Sequence, residues 1–229
     1  MKVVVIGALG KVARQLVPLL SDGGSGPAVD VVGVVRREEQ IDRVADIGGE
    51  PLLLDVEHAS TEEMAQAFDG ADAVIWSAGA GGGNPDRTYA VDRDAAIRSM
   101  DAAAAAGVRR YVMVSWVGSV PDHGVPSDAS FYPYADAKLA ADDHLRTTDL
   151  DWTILGPGSL TDDPPTGRIR VLGADERVER GEPSQVPRAD VAQVAAASLR
   201  IDTTIGQFVR FTTGDETIPA ALRHLENLE

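Results

Sequence analysis

Within its first twenty residues the chain passes from an unbroken apolar run, Val3-Val4-Val5-Ile6, through Gly7 and a short loop to Gly10. It then enters Lys11–Leu20, where Val12, Leu16, Leu19 and Leu20 recur at helical spacing. A short β-branched run without polar alternation fits a strand covered on both faces. Glycine at its end permits an immediate turn into a helix. The unit then repeats. Val31–Val35, Leu52–Leu54, Ala73–Trp76, Tyr111–Val114 and Trp152–Leu155 read as further strands. Helical stretches near Glu38–Ile47 and over Thr61–Phe68, Asp86–Ala106 and Tyr134–Arg146 separate them. Six strands alternating with helices predict an α/β protein: a Rossmann-like, doubly wound parallel sheet with ligand sites at the carboxyl ends of the strands.

Residues 1–158 carry this regular pattern as a cofactor-binding core. Residues 159–229 are expected to form a small substrate-side extension of the same single domain. There Arg168–Leu172 and Phe208–Phe211 read as strands, and Arg188–Leu199 and Pro219–Leu228 as helices. Asp190 is expected to cap the helix that begins beside it.

Composition narrows the functional classes. The chain has no cysteine, which excludes disulfide frameworks, thiol nucleophiles and cysteine zinc sites. Its net charge of −15 disfavours a broad nucleic-acid-binding face. No apolar run reaches the ~18 residues of a membrane span, and the N-terminal run is too short for a signal-peptide core. The expectation is a soluble cytoplasmic protein acting on a small molecule, with the oligomeric state left open. Asp outnumbers Glu by 24 to 12 and there are only 3 lysines against 18 arginines, a balance that fits either a GC-rich genome or a salt-adapted surface. The histidines show no metal-ligand spacing, and there is neither a Gly-x-Ser-x-Gly elbow nor a Gly-Lys-Ser/Thr loop.

The loop Gly7-Ala8-Leu9-Gly10-Lys11-Val12-Ala13 is placed to receive a pyrophosphate. Gly7 allows the tight turn, Gly10 allows close approach to the helix N-terminus, and Ala13 takes the place of a third glycine. After the second strand stand Arg36 and Arg37, where an acidic residue would favour NAD. Two guanidinium groups there favour a 2′-phosphate, hence NADP(H) over NAD(H), unless Glu38 and Glu39 pair with them. Asp55 and Val56, after the third strand, suit the adenine, although an aspartate there can equally cap its own loop.

With these stand Ser77-Ala78-Gly79 after the fourth strand, Tyr134-Ala135-Asp136-Ala137-Lys138, Leu155-Gly156-Pro157-Gly158-Ser159-Leu160 and Pro187–Ala192. Together they resemble the short-chain dehydrogenase/reductase superfamily, most closely its atypical NAD(P)H-binding branch with NmrA-like and biliverdin/flavin-reductase-like proteins. The resemblance spans about residues 2 to 212. It implies cofactor contacts at Ser77, Ala78, Gly79, Pro157, Gly158 and Leu160, with Lys138 on the nicotinamide ribose. Tyr134 and Lys138 lie four apart, on one helix face. An ammonium beside the phenol would lower its pKa and fit Tyr134 for proton transfer.

Two positions depart from the pattern. Ser115 is the nearest candidate for the substrate-polarising hydroxyl, but the residue two further on is Val117, and Trp116 fills the slot used by flavin-reductase-like members. Gly156 stands where many relatives carry arginine. The Gly79–Asn84 loop reads as a lip beside the nicotinamide or a plain surface loop, and Trp116, Phe131, Tyr132 and Trp152 as an aromatic wall or core packing. The leading expectation is an NADP(H)-dependent oxidoreductase acting on a small carbonyl, quinone or flavin-like substrate. The alternatives are a non-catalytic NADP(H) sensor and a nucleotide-sugar epimerase/dehydratase-like enzyme.

Overall fold

The structure is a computed structural model describing residues 1–24, 26–81, 83–173, 176 and 184–225. The chain opens with β1 (Lys2–Ile6), α1 (Ala13–Ser21), β2 (Asp30–Val35), α2 (Ile41–Ala45), β3 (Glu50–Leu53), α3 (Thr61–Ala67) and β4 (Ala73–Trp76). Next come α4 (Pro85–Thr88), a π-helical stretch Tyr89–Ala95, α5 (Ala96–Ala105), β5 (Arg110–Val114), α6 (Tyr132–Arg146) and β6 (Asp151–Pro157). The remainder supplies β7 (Ser159–Thr161), β8 (Arg168–Val171), β9 (Gln185–Pro187), α7 (Arg188–Ser198), β10 (Gln207–Thr213), β11 (Glu216–Thr217) and α8 (Ile218–Arg223).

The sheet runs β11-β8-β10-β6-β5-β4-β1-β2-β3. From β3 to β10 every neighbouring pair is parallel, whereas β8 and β11 are antiparallel additions at one edge. The fold is Rossmann-like. Alternation along β1 shows why both faces are closed. Val3 and Val5 pack with α1 and α7, while Val4 and Ile6 pack with α3, α5 and α6. Strand order reverses between β1 and β4, and the gap outside their carboxyl ends is where such sheets bind ligands.

After residue 158, β10 joins the sheet beside β6, and α7 packs on α1. The short parallel ribbon of β7 and β9 stands apart from the main sheet. Three local expectations change. The long helix after Asn84 contains the π-helical segment, and this places Asp92 at 2% exposure. Asp190 does not cap α7, whose N-cap is Pro187; its buried carboxylate instead accepts hydrogen bonds from the backbone N–H groups of Thr166 and Gly167 and from the Thr166 hydroxyl. The last helix ends at Arg223, and residues 226–228 of the expected helix lie outside the described residues. Among the described residues no helix is long and apolar enough to cross a membrane.

Candidate functional site

A cleft of about 330 Å³ opens at the switch point, within the range of small-ligand sites. Its floor is the β1–α1 loop, with Gly7, Leu9 and Gly10 in its lining. Gly7 has φ +79°, and a Cβ there would stand 2.7 Å from the Ala78 Cα. The Gly10 N–H donates to the Gly7 carbonyl at 2.8 Å, closing the turn. A Cβ at Gly10 would lie 3.1 Å from that carbonyl oxygen and 3.3 Å from that of Ser77. Ser77, Ala78 and Gly79 form the opposite wall. Backbone without side chains beside a helix start is what a pyrophosphate needs, so these residues fit a dinucleotide.

Arg36 lines the far end of the cleft, with Asp55 and Val56. The two arginines part company here. Arg37 pairs with Glu39 at 3.1 Å outside the cleft, whereas Arg36 has no ion pair with a described residue. Asp55 has two kinds of neighbour. It lines the cleft, and its carboxylate also accepts from the Glu57 N–H at 3.2 Å and meets His58 Nδ1 at 3.0 Å.

Lys11, Val12, Pro157, Gly158, Leu160 and Lys138 do not line the cleft. Lys11 faces Asp162 at 3.7 Å, and Val12 is buried at the start of α1. Pro157 and Gly158 are buried, and Leu160 pairs with Val186 in the small ribbon. Lys138 is 1% exposed; its Nζ donates to the Val114 carbonyl at 3.0 Å and touches Met113 Sδ at 3.1 Å.

The chemistry expected of the Tyr134–Lys138 pair is reversed. Burial, reinforced by the Asp92 and Asp142 carboxylates, pushes the Tyr134 phenol above its ordinary value. The Lys138 ammonium acts on those same two buried carboxylates, whose own pKa values are raised by burial and partly offset by that charge. Ser115 is likewise committed elsewhere: it is 4% exposed and donates to Asp142 Oδ2.

Three of the four aromatic residues stand in one cluster. Trp116 meets Phe131 edge-on at 5.2 Å and His123 at 6.4 Å, Phe131 lies 5.1 Å from Tyr134, and His123 lies 5.7 Å from Tyr132. Trp152 instead packs against the core on the α6 side. Gly156 also has an explanation: a Cβ there would come within 2.6 Å of the Phe208 ring and 3.3 Å of Arg210 Cγ. Arg210, in register with Gly156 on β10, reaches the Val117 carbonyl at 3.0 Å.

The sequence of residues 7–202 matches the model of an NAD(P)H-binding family. The chain belongs to that NAD(P)H-binding family. It is 37% identical to YhfK of Bacillus subtilis, named as an uncharacterized sugar epimerase, over 98% of this chain and 100% of the relative. A Bacillus halodurans structure with a provisional assignment as an NAD-dependent epimerase/dehydratase superposes with TM-score 0.87 at 33% identity, covering 98% of this chain and 100% of that one. The oxidoreductase YlbE of Lactococcus lactis follows with TM-score 0.82 at 28% identity, covering 99% and 97%. Membership places this NAD(P)H-binding protein among oxidoreductase-like Rossmann proteins.

Within that family frame, several residues at the site had no motif to announce them. Arg87 lines the cleft, donates to the Ala80 carbonyl and pairs with Glu57 at 3.0 Å, so it ties the loops after β3 and β4 together. Asp92 accepts from the Ala80 N–H at 3.0 Å. The root of the glycine-rich loop is therefore anchored; Gly82 lies outside the described residues. The available signal for Asp142 was its place four beyond Lys138 and eight beyond Tyr134, on one helix face.

Proposed function

We propose that the protein is an NADP(H)-dependent reductase of a small, flat carbonyl, quinone or flavin-like acceptor. The observation that carries this reading is the Tyr134 ring packed 5.1 Å from Phe131, beside the Trp116–Phe131 aromatic contact. The Tyr134 phenol is protonated at neutral pH and enters the reaction as the proton donor; burial makes it a weaker acid than a free phenol and leaves still less phenolate to begin a reaction as a base. Reduction needs the donor; epimerisation through an oxidised intermediate needs the base. When bound, the nicotinamide supplies the hydride. Tyr134 Oη then gives its proton to the acceptor oxygen or nitrogen as the O–H bond breaks, and solvent restores that proton after product leaves. Arg36, which lines the cleft without an ion pair to a described residue, would hold a 2′-phosphate, which supports NADP(H) over NAD(H).

NADPH oxidation measured against quinones, flavins, small carbonyls and nucleotide sugars tests the reading, with Tyr134→Phe alongside. The variant should lose about 100-fold or more in kcat with NADPH binding kept. An equally active variant would refute the proton-transfer role. One observation favours a non-catalytic NADP(H) sensor: the Ser115 hydroxyl is held by Asp142 and offers no second donor to a substrate. NADPH binding with no turnover on any acceptor would support that reading, and turnover confined to nucleotide sugars would support an epimerase/dehydratase.

A further inference from the structure

Asp142 lies on α6 and is completely buried. Its Oδ2 accepts the hydroxyl of Ser115 and, at 2.6 Å, that of Ser119, while Oδ1 has no hydrogen-bond partner among the described residues. Between these serines the chain doubles back. The Ser119 N–H donates to the Trp116 carbonyl at 3.1 Å, Val120 N–H to Gly118 at 2.8 Å, and Val117 N–H to Pro157 at 2.9 Å. Trp116 rides on this turn with its ring over Gly118, where a Cβ would come within 2.3 Å of the indole. From that position Trp116 meets Phe131, which is 45% exposed and itself packs on Tyr134.

We propose that Asp142 is a positioning residue for the acceptor site: by gathering two serine hydroxyls on one oxygen it closes the 115–119 turn and fixes Trp116 as the wall for a planar acceptor. This rests on reading the site as that of a reductase. An apolar side chain at 142 would fill the same space but leave two buried hydroxyls without an acceptor, and the turn would open to find others. Trp116 is not among the residues lining the cleft with Gly7, Gly10 and Arg36, so its displacement should alter acceptor binding and spare the cofactor.

The test uses the full chain carrying Asp142→Ala or Asp142→Asn, each also made with Trp116→Phe so that the Trp116 share of the emission is obtained by difference. In Asp142→Ala, acrylamide quenching of Trp116 should rise about twofold or more. KM for the acceptor should rise about tenfold with NADPH affinity unchanged. Asp142→Asn, whose amide oxygen can take both hydroxyls, should recover most of each effect. Gly118→Ala, which displaces the indole from the other side, should reproduce the KM change. Unchanged Trp116 quenching and unchanged KM in Asp142→Ala would overturn the proposal. Should that variant not fold, Ser119→Ala removes one of the two bonds and is read the same way. A parent that turns over no acceptor defeats the reductase reading, whereas the quenching difference still decides the role of Asp142.

Discussion

At Gly7 two independent constraints meet. Its φ of +79° is a conformation that side-chain-bearing residues resist, and its missing Cβ leaves the space into which Ala78 closes. Gly7→Ala should therefore cost about 1–3 kcal/mol of stability and weaken NADPH binding at least about tenfold. Thermal unfolding and a fluorescence titration measure the two effects, and an Ala variant indistinguishable from the parent would mean that the loop is not the cofactor cradle. This half of the site was legible because glycines at strand ends report backbone geometry directly. The side-chain half was not. Tyr134 and Lys138 share a helix face as their spacing says, and Asp142 follows four residues on; Asp92, which reaches the same place only through tertiary packing, had no such signal, and both carboxylates push the phenol up.

Between elements, β1, β2, β4, β5 and β6 were readable because each is a short apolar run buried on two faces, whereas the two- and three-residue strands β7, β9 and β11 carry no such run. Joints made by single polar side chains were hidden. Arg110, at the start of β5, donates to the Asp151 carbonyl at 2.6 Å, the Thr153 hydroxyl at 2.7 Å and the Ser198 carbonyl at 2.6 Å, so it joins β5, β6 and the end of α7. Burial lowers its guanidinium pKa to about 10, which still leaves it charged at neutral pH. Arg110→Ala leaves those acceptors bare and should destabilise the fold by about 2–4 kcal/mol, read from chemical denaturation. Because it acts at the amino-terminal end of β5, away from the cleft, the folded variant should bind NADPH as the parent does. A stable variant with weakened NADPH binding would contradict this division between the two ends of the sheet.

Over the whole molecule, a net charge of −15 and a multiply anionic ligand are compatible only if positive potential is local. The structure narrows where it can come from. Lys11 faces Asp162, Arg37 pairs with Glu39, Lys138 is buried with Asp92 and Asp142 under its influence, and Arg87 pairs with Glu57. On the proposed reading the start of α1 takes the pyrophosphate and Arg36 the 2′-phosphate. Titration of NADPH and of NADH into the parent and into Arg36→Ala tests this most directly. The parent should bind NADPH more tightly than NADH. Arg36→Ala should weaken NADPH about 10- to 100-fold while NADH changes less than about twofold. Equal losses for both cofactors, or a parent that prefers NADH, would contradict a 2′-phosphate site at Arg36.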